Sequence, residues 1–179
     1  RPVERRHPLT FDDLLADARQ VAALLMARRH TLAVAESSTG GLISAALLAV
    51  PGASAFYLGG GVIYTPRARH RLLDLKREEV RGLRGATEAY ARVLADRART
   101  RFSATWGLGE TGATGPSGNP YGDAPGHCCH AVAGPAGAVS HTLETGETDR
   151  LHNMLRFSRA CLQQLRERIE AEAEGTPAG

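Results

Sequence analysis

The tightest constraint on what this chain can fold into is a short apolar run that meets a glycine turn. Thr31 to Ala35 (TLAVA) is partly β-branched and too short for a helix, which predicts a buried strand. Glu36-Ser37-Ser38-Thr39-Gly40-Gly41 follows without a spacer. Leu42 to Val50 then runs apolar and alanine-rich until Pro51-Gly52 stops it, which predicts a largely buried helix. A helix that leaves a strand so abruptly packs back against the sheet, and that is how a layered α/β domain begins.

The rest of the chain agrees. Thr10 reads as an N-cap with Asp12 and Asp13 in the first turn, and Phe11, Leu14, Leu15, Ala18, Val21, Ala22 and Leu25 follow helical spacing up to about Arg28. Phe56 to Thr65 reads as a strand interrupted by Gly59-Gly60-Gly61. Pro66 opens a helix to Leu75 from the first helical position, where its missing N–H costs nothing. Arg77 to Ala86 is a short helix or turn, and Thr87 caps a helix to about Ser103. Thr105 to Glu110 is a strand and Thr111 to Gly126 a long Gly/Pro loop. Cys128 to Ala133 and Val139 to Leu143 form a hairpin around Gly134 to Gly137, and a last helix runs from Thr148 to about Glu172. Early alternation and a late hairpin predict a three-layer α/β/α single domain with a mixed sheet over 10–172, and flexible termini at 1–9 and 173–179.

Composition narrows the partners. The net charge is +3, with 22 basic and 19 acidic residues interleaved along the chain. A nucleic-acid binder concentrates its charge on one face, so that class is disfavoured, and the densest basic stretch, Arg67 to Arg71 followed by Lys76 and Arg77, reads as a solvated helix face. No run approaches the roughly 18 apolar residues of a membrane span, and Arg1 to Pro8 lacks the apolar centre of a signal peptide. Three cysteines, two of them adjacent, argue against a disulfide framework, and a cytoplasmic location fits.

Three segments hold candidate chemistry. Two hydroxyls and two glycines at a helix start suit an anion site, or a serine nucleophile with an oxyanion hole made by the N–H groups of Thr39 to Gly41. The alternative is that Ser37 or Thr39 merely caps the helix. The loop Gly109-Glu110-Thr111-Gly112-Ala113-Thr114-Gly115-Pro116-Ser117-Gly118-Asn119-Pro120 suits a phosphate or ribose cradle, or is a structural Gly/Pro loop. His127-Cys128-Cys129-His130 offers four soft ligands, but contiguous strand residues alternate faces, so at most two reach one ion and no metal is expected.

Together these segments resemble the CinA C-terminal domain family. Ala35 to Leu42 is similar to its A-E-S-C-T-G-G-L motif, and Pro51-Gly52-Ala53-Ser54 to its P-G-A-S turn. Gly59 to Thr65 is similar to its G-x-V-x-Y-S strand end, and Leu72-Leu73 to its paired leucines. Thr111 to Gly118 is similar to its T-G-I-A-G-P-G-G loop, and Thr148-Asp149-Arg150 to its G-D-R motif. The resemblance covers about residues 10 to 170 and implies a stand-alone domain, without the nucleotide-processing domain that precedes this module in longer members. It implies a deamidase that hydrolyses nicotinamide mononucleotide to nicotinic acid mononucleotide and ammonia, with no metal or organic cofactor, in a homo-oligomer. The family's nucleophile falls on Ser37 and its tyrosine on Tyr64. Glu36, Thr39, Gly40, Gly41, Thr111, Gly112, Gly115 and Arg150 are the implied substrate-binding positions.

One departure bears on mechanism. Five residues after its tyrosine the family has a lysine, and this chain has Arg69. A buried lysine can lose its proton near neutrality and an arginine effectively cannot. Either Arg69 activates Tyr64, or Glu110 or Glu36 is the base, or the chain is a non-catalytic or differently specific nucleotide-binding relative.

Overall fold

The computed structural model describes residues 7–173. Most of the two segments expected to be flexible lies outside them. Within them, Leu9 packs on the core and Ala173 is the last residue of a helix.

Helix α1 (Phe11–Arg28) starts where Thr10 N–H donates to the Asp13 carboxylate at 2.8 Å and ends at Arg29, which takes a left-handed conformation. Strand β1 (Leu32–Glu36) leads through the glycine turn into α2 (Leu42–Leu48), and a 3-10 turn precedes β2 (Tyr57–Val62). Helix α3 (Pro66–Leu73) is capped by the Thr65 hydroxyl, and α4 (Glu88–Arg101) by that of Thr87. Strands β3 (Trp106–Ala113), β4 (His127–Gly134) and β5 (Gly137–Glu144) precede α5 (Arg150–Ala173). The five strands lie in the order β2-β1-β3-β4-β5. β1 is parallel to β2 and β3, whereas β4 is antiparallel to both of its neighbours, β3 and β5, so the sheet is mixed as expected.

Strand alternation sorts the core into two layers. Leu32, Val34, Trp106, Leu108 and Val132 face α1, α2 and α5. Ala33 and Ala35 face the other way, toward Leu73, Val80, Leu94 and Ala98 on the side of α3 and α4. The architecture is therefore α/β/α. Glycines set the spacing between layers. A Cβ at Gly107 would lie 2.0 Å from the Ala95 carbonyl oxygen, so α4 rests directly on the backbone of β3.

Boundaries depart from the sequence expectation at three elements: β2 runs unbroken through Gly59 to Gly61 but stops at Val62, short of Thr65, α3 ends at Leu73, short of Leu75, and β3 runs long. Thr111, Gly112 and Ala113 belong to β3, not to the following loop, because they pair with Cys129, Cys128 and His127 of β4. Antiparallel pairing carries the strand past the point where its own small residues give any sign of it.

The hairpin also divides the His-Cys cluster by alternation. His127 and Cys129 share the α4 face, with His127 Nε2 3.7 Å from Cys129 Sγ. His130 faces α5, where its Nδ1 meets Gln164 Oε1 at 2.5 Å, and the Cys128 and Cys161 thiols are buried on that side.

Candidate active site

The carboxyl ends of β2, β1 and β3 meet where the chain leaves β1 for β2 on one side and β3 on the other. That switch point is where open α/β sheets leave a crevice. Ser37 follows β1 directly, Tyr64 lies just beyond β2, and Thr111 and Gly112 lie near the end of β3. These four residues line one cavity of about 530 Å³, together with Arg69 of α3 and Tyr90 of α4. The three residues expected to be catalytic, Ser37, Tyr64 and Arg69, therefore share a single space, and its size suits a small-molecule ligand.

Two buried carboxylates shape the turn from beneath. Glu36 is fully buried. Its Oε1 accepts from Thr39 Oγ1 (2.8 Å), Gly41 N (2.9 Å) and Ile43 N (3.2 Å), and its Oε2 from Ser44 N (3.0 Å) and Ser44 Oγ (2.7 Å). Glu110, also fully buried, accepts from Ser38 Oγ (2.6 Å), Thr39 N (2.8 Å) and Ser37 N (3.3 Å). Burial pushes the Glu110 carboxyl up from its ordinary 4.5 to about 7, and nearby Glu36 adds to the rise against the donors that favour the anion.

This arrangement corrects three expectations. The N–H groups of Thr39 and Gly41 already serve Glu110 and Glu36, and that of Gly40 serves the Ser37 carbonyl, so they are not free to hold an oxyanion. No hydroxyl caps α2. The cap is the Glu36 carboxylate, reaching from the end of β1 to the orphan donors at the helix start. With five donors on it and no exposed surface, Glu36 is a structural acceptor and not a base. Glu110 spends its strongest contact on Ser38, one residue from the expected nucleophile. Among the described residues no hydrogen bond engages the Ser37 hydroxyl, and the Ser38 N–H has no acceptor.

The proposed coupling of Arg69 to Tyr64 is also redirected. Arg69 lies over the ring of Tyr90, 5.7 Å from its centroid, with Nη1 3.4 Å from the Tyr90 hydroxyl, and its Nε is buried without a partner. The cation beside Tyr64 is Arg150, whose Nη2 lies 3.5 Å from the phenol oxygen while its Nη1 donates to the Gly115 carbonyl at 2.6 Å. Arg150 thus ties the glycine loop to the rim of the cavity. Gly115 has a left-handed φ of 108°, and a Cβ there would lie 2.6 Å from the Thr148 carbonyl oxygen, so this join has room only for glycine. Glu36, Thr39, Gly40, Gly41, Gly115 and Arg150 do not line the cavity itself. Thr111 does, and its Oγ1 accepts from Ala86 N at 3.1 Å.

Sequence reasoning missed Tyr90 and Tyr121. Tyr90 reads as a core residue of a helix and becomes a wall only because α4 passes the end of β3. Tyr121 arrives on the loop after β3 with Asn119 and Pro120. That loop is held by Asn119 Nδ2 to Asp123 (2.8 Å) and by the Arg84–Asp123 ion pair (2.6 Å), with Arg84 over the Tyr121 ring.

Comparison with known proteins places this geometry. Residues 15–169 match the family model described as the CinA C-terminal domain. A CinA-like protein of Anaeromyxobacter sp. (strain K) is 39% identical over 147 residues, 81% of this chain and 36% of that protein. Another, from Desulfosudis oleivorans, is 34% identical over 87% of this chain and 38% of its own length. The chain thus spans about a third of the length of the relatives it matches. Among solved structures, the competence/damage-inducible protein CihA from Agrobacterium tumefaciens superposes with a TM-score of 0.80 at 27% identity, over 88% of this chain and 96% of its own. A CinA superfamily protein from Klebsiella pneumoniae gives 0.82 at 25% identity, over 88% and 98%. The match along nearly the whole domain, with the motif residues gathered around one cavity, shows that this chain belongs to the CinA C-terminal domain family.

Proposed function

We propose that this chain is an amidohydrolase of nicotinamide mononucleotide, with Ser37 as nucleophile. The observation that carries the proposal is the single cavity lined by Ser37, Tyr64 and Arg69, with the Ser37 hydroxyl free of any internal partner. Ser37 Oγ attacks the carboxamide carbon and its proton passes to the Tyr64 oxygen, which lies 3.5 Å from Arg150 Nη2, while the Tyr64 hydroxyl hands its own proton to the departing ammonia. The Ser38 N–H is the donor left at the turn for the oxyanion. Ammonia departs after taking a proton, and water hydrolyses the acyl ester. Arg69 contributes a fixed positive wall and takes no proton. The ligand's phosphate lies against Arg150 and the glycine loop. Incubation with nicotinamide mononucleotide should release ammonia in the native chain and none in Ser37→Ala.

A second reading rests on Arg69 itself. With a permanent cation in place of a titratable amine, the site binds a nucleotide without turning it over. Saturable binding of nicotinamide mononucleotide with no ammonia would establish this reading, and activity gained in Arg69→Lys would identify the missing base as the reason.

A further inference from the structure

We propose that the basic groove running from the Ser37 cavity across α3 to residues 77–83 is a second anion subsite. It takes the additional phosphate of a diphosphate-linked dinucleotide. The inference rests on the reading of the Ser37 cavity as a nucleotide site and extends its ligand class.

Three cavities open side by side, and Arg69 lines all of them. Beyond the Ser37 cavity, one of about 700 Å³ adds His70, Lys76 and Arg77, and one of about 540 Å³ adds Arg81. Glu78 lines both and is the only carboxylate in either. Among the described residues, Arg69, Lys76, Arg77 and Arg81 form no ion pair. The arginines bordering the region are neutralised, Arg84 by Asp123 and Arg97 by Glu79. Four cations, Arg69, Lys76, Arg77 and Arg81, face one lining carboxylate along the groove, and this excess creates a positive field that favours a multiply charged anion.

Arg69 supplies an independent observation. Its guanidinium is held over the Tyr90 ring with Nη1 3.4 Å from the Tyr90 hydroxyl, and among the described residues no acceptor engages Nη2. A planar fork held in place with an N–H edge free of internal partners fits a phosphate oxygen. Arg69 stands where the catalytic cavity and the groove join, so a ligand crossing that point places one phosphate in each. The groove is short and Glu78 interrupts it, which suits two linked phosphates better than a nucleic-acid backbone.

The test is calorimetric titration of the full chain with inorganic phosphate, inorganic pyrophosphate, nicotinamide mononucleotide and NAD+. Pyrophosphate should bind at least tenfold more tightly than phosphate, and NAD+ more tightly than the mononucleotide. In Arg77→Ala/Arg81→Ala, both residues being exposed, the NAD+ to mononucleotide affinity ratio should fall at least tenfold. Arg19→Ala/Arg101→Ala, which removes two cations outside the groove, should leave the ratio unchanged. An unchanged ratio in the groove variant overturns the subsite, whether or not ammonia is released from the mononucleotide. So does a single-stranded oligonucleotide that binds more tightly than pyrophosphate with a steep salt dependence. If pyrophosphate binds through Arg77 and Arg81 while the mononucleotide neither binds nor reacts, the groove stands and the reading of the Ser37 cavity fails.

Discussion

Ser38 Oγ donates to Glu110 Oε1 at 2.6 Å, and that contact joins the turn after β1 to the middle of β3 beneath the candidate active site. The same carboxylate accepts from the backbone N–H groups on either side of Ser38. Three consecutive residues thus hang from one buried side chain. The family motif has cysteine where this chain has Ser38, and a hydroxyl is the better donor to a carboxylate.

This arrangement makes stability depend on pH. Glu110 is pushed up from 4.5 to about 7, so between those values the folded state holds a proton that the unfolded state has released. Its contribution is fully present below pH 4.5 and is lost as pH rises toward 7, on the order of 3 kcal/mol in total. The groups facing it are Ser37, Ser38, Thr39, Glu36 and the thiols of Cys128 and Cys161. Urea unfolding between pH 4.5 and 8 should show this fall, and Glu110→Gln should flatten it. An equal slope in both proteins would rule out Glu110 as the source.

Glu36 is the structural counterpart. Replacing its carboxyl leaves the donors of Gly41, Ile43 and Ser44 facing a weaker acceptor, or none, at a buried helix start. Glu36→Ala should cost roughly 3 kcal/mol or more, and Glu36→Gln less, because one carbonyl oxygen remains. Denaturant midpoints at constant slope would measure both.

Ser37→Ala separates chemistry from folding. Because the hydroxyl makes no internal bond, its removal should change stability by less than about 0.5 kcal/mol while abolishing ammonia release. A large loss of stability would reassign Ser37 to a structural role.

Gly107→Ala tests the layer spacing. The new Cβ would sit 2.0 Å from the Ala95 carbonyl oxygen, which is backbone and cannot rotate aside. Helix α4 must lift, at a cost of about 3 kcal/mol. Since α4 carries Tyr90 into the cavity, ligand affinity should weaken in the same variant.

The sequence by itself determined the layers and the cast of the site. TLAVA ahead of a glycine turn, the 3.6-residue spacing of α1, and the Gly-Pro-Ala-Gly hairpin are local signals, legible because neighbours in sequence set them. The motif residues Ser37, Tyr64, Arg69 and Thr111 were named from spacing and resemblance, and the fold brings all four to one cavity. Only the tertiary structure decided their partners. Glu36 caps a helix instead of serving as base, Arg69 pairs with Tyr90 instead of Tyr64, Arg150 reaches Tyr64 from the far end of the chain, and β3 continues through Thr111 because β4 lies beside it. These contacts join residues up to 86 positions apart. They depend on the order of strands in the sheet and on which face each side chain takes, and no local spacing encodes either.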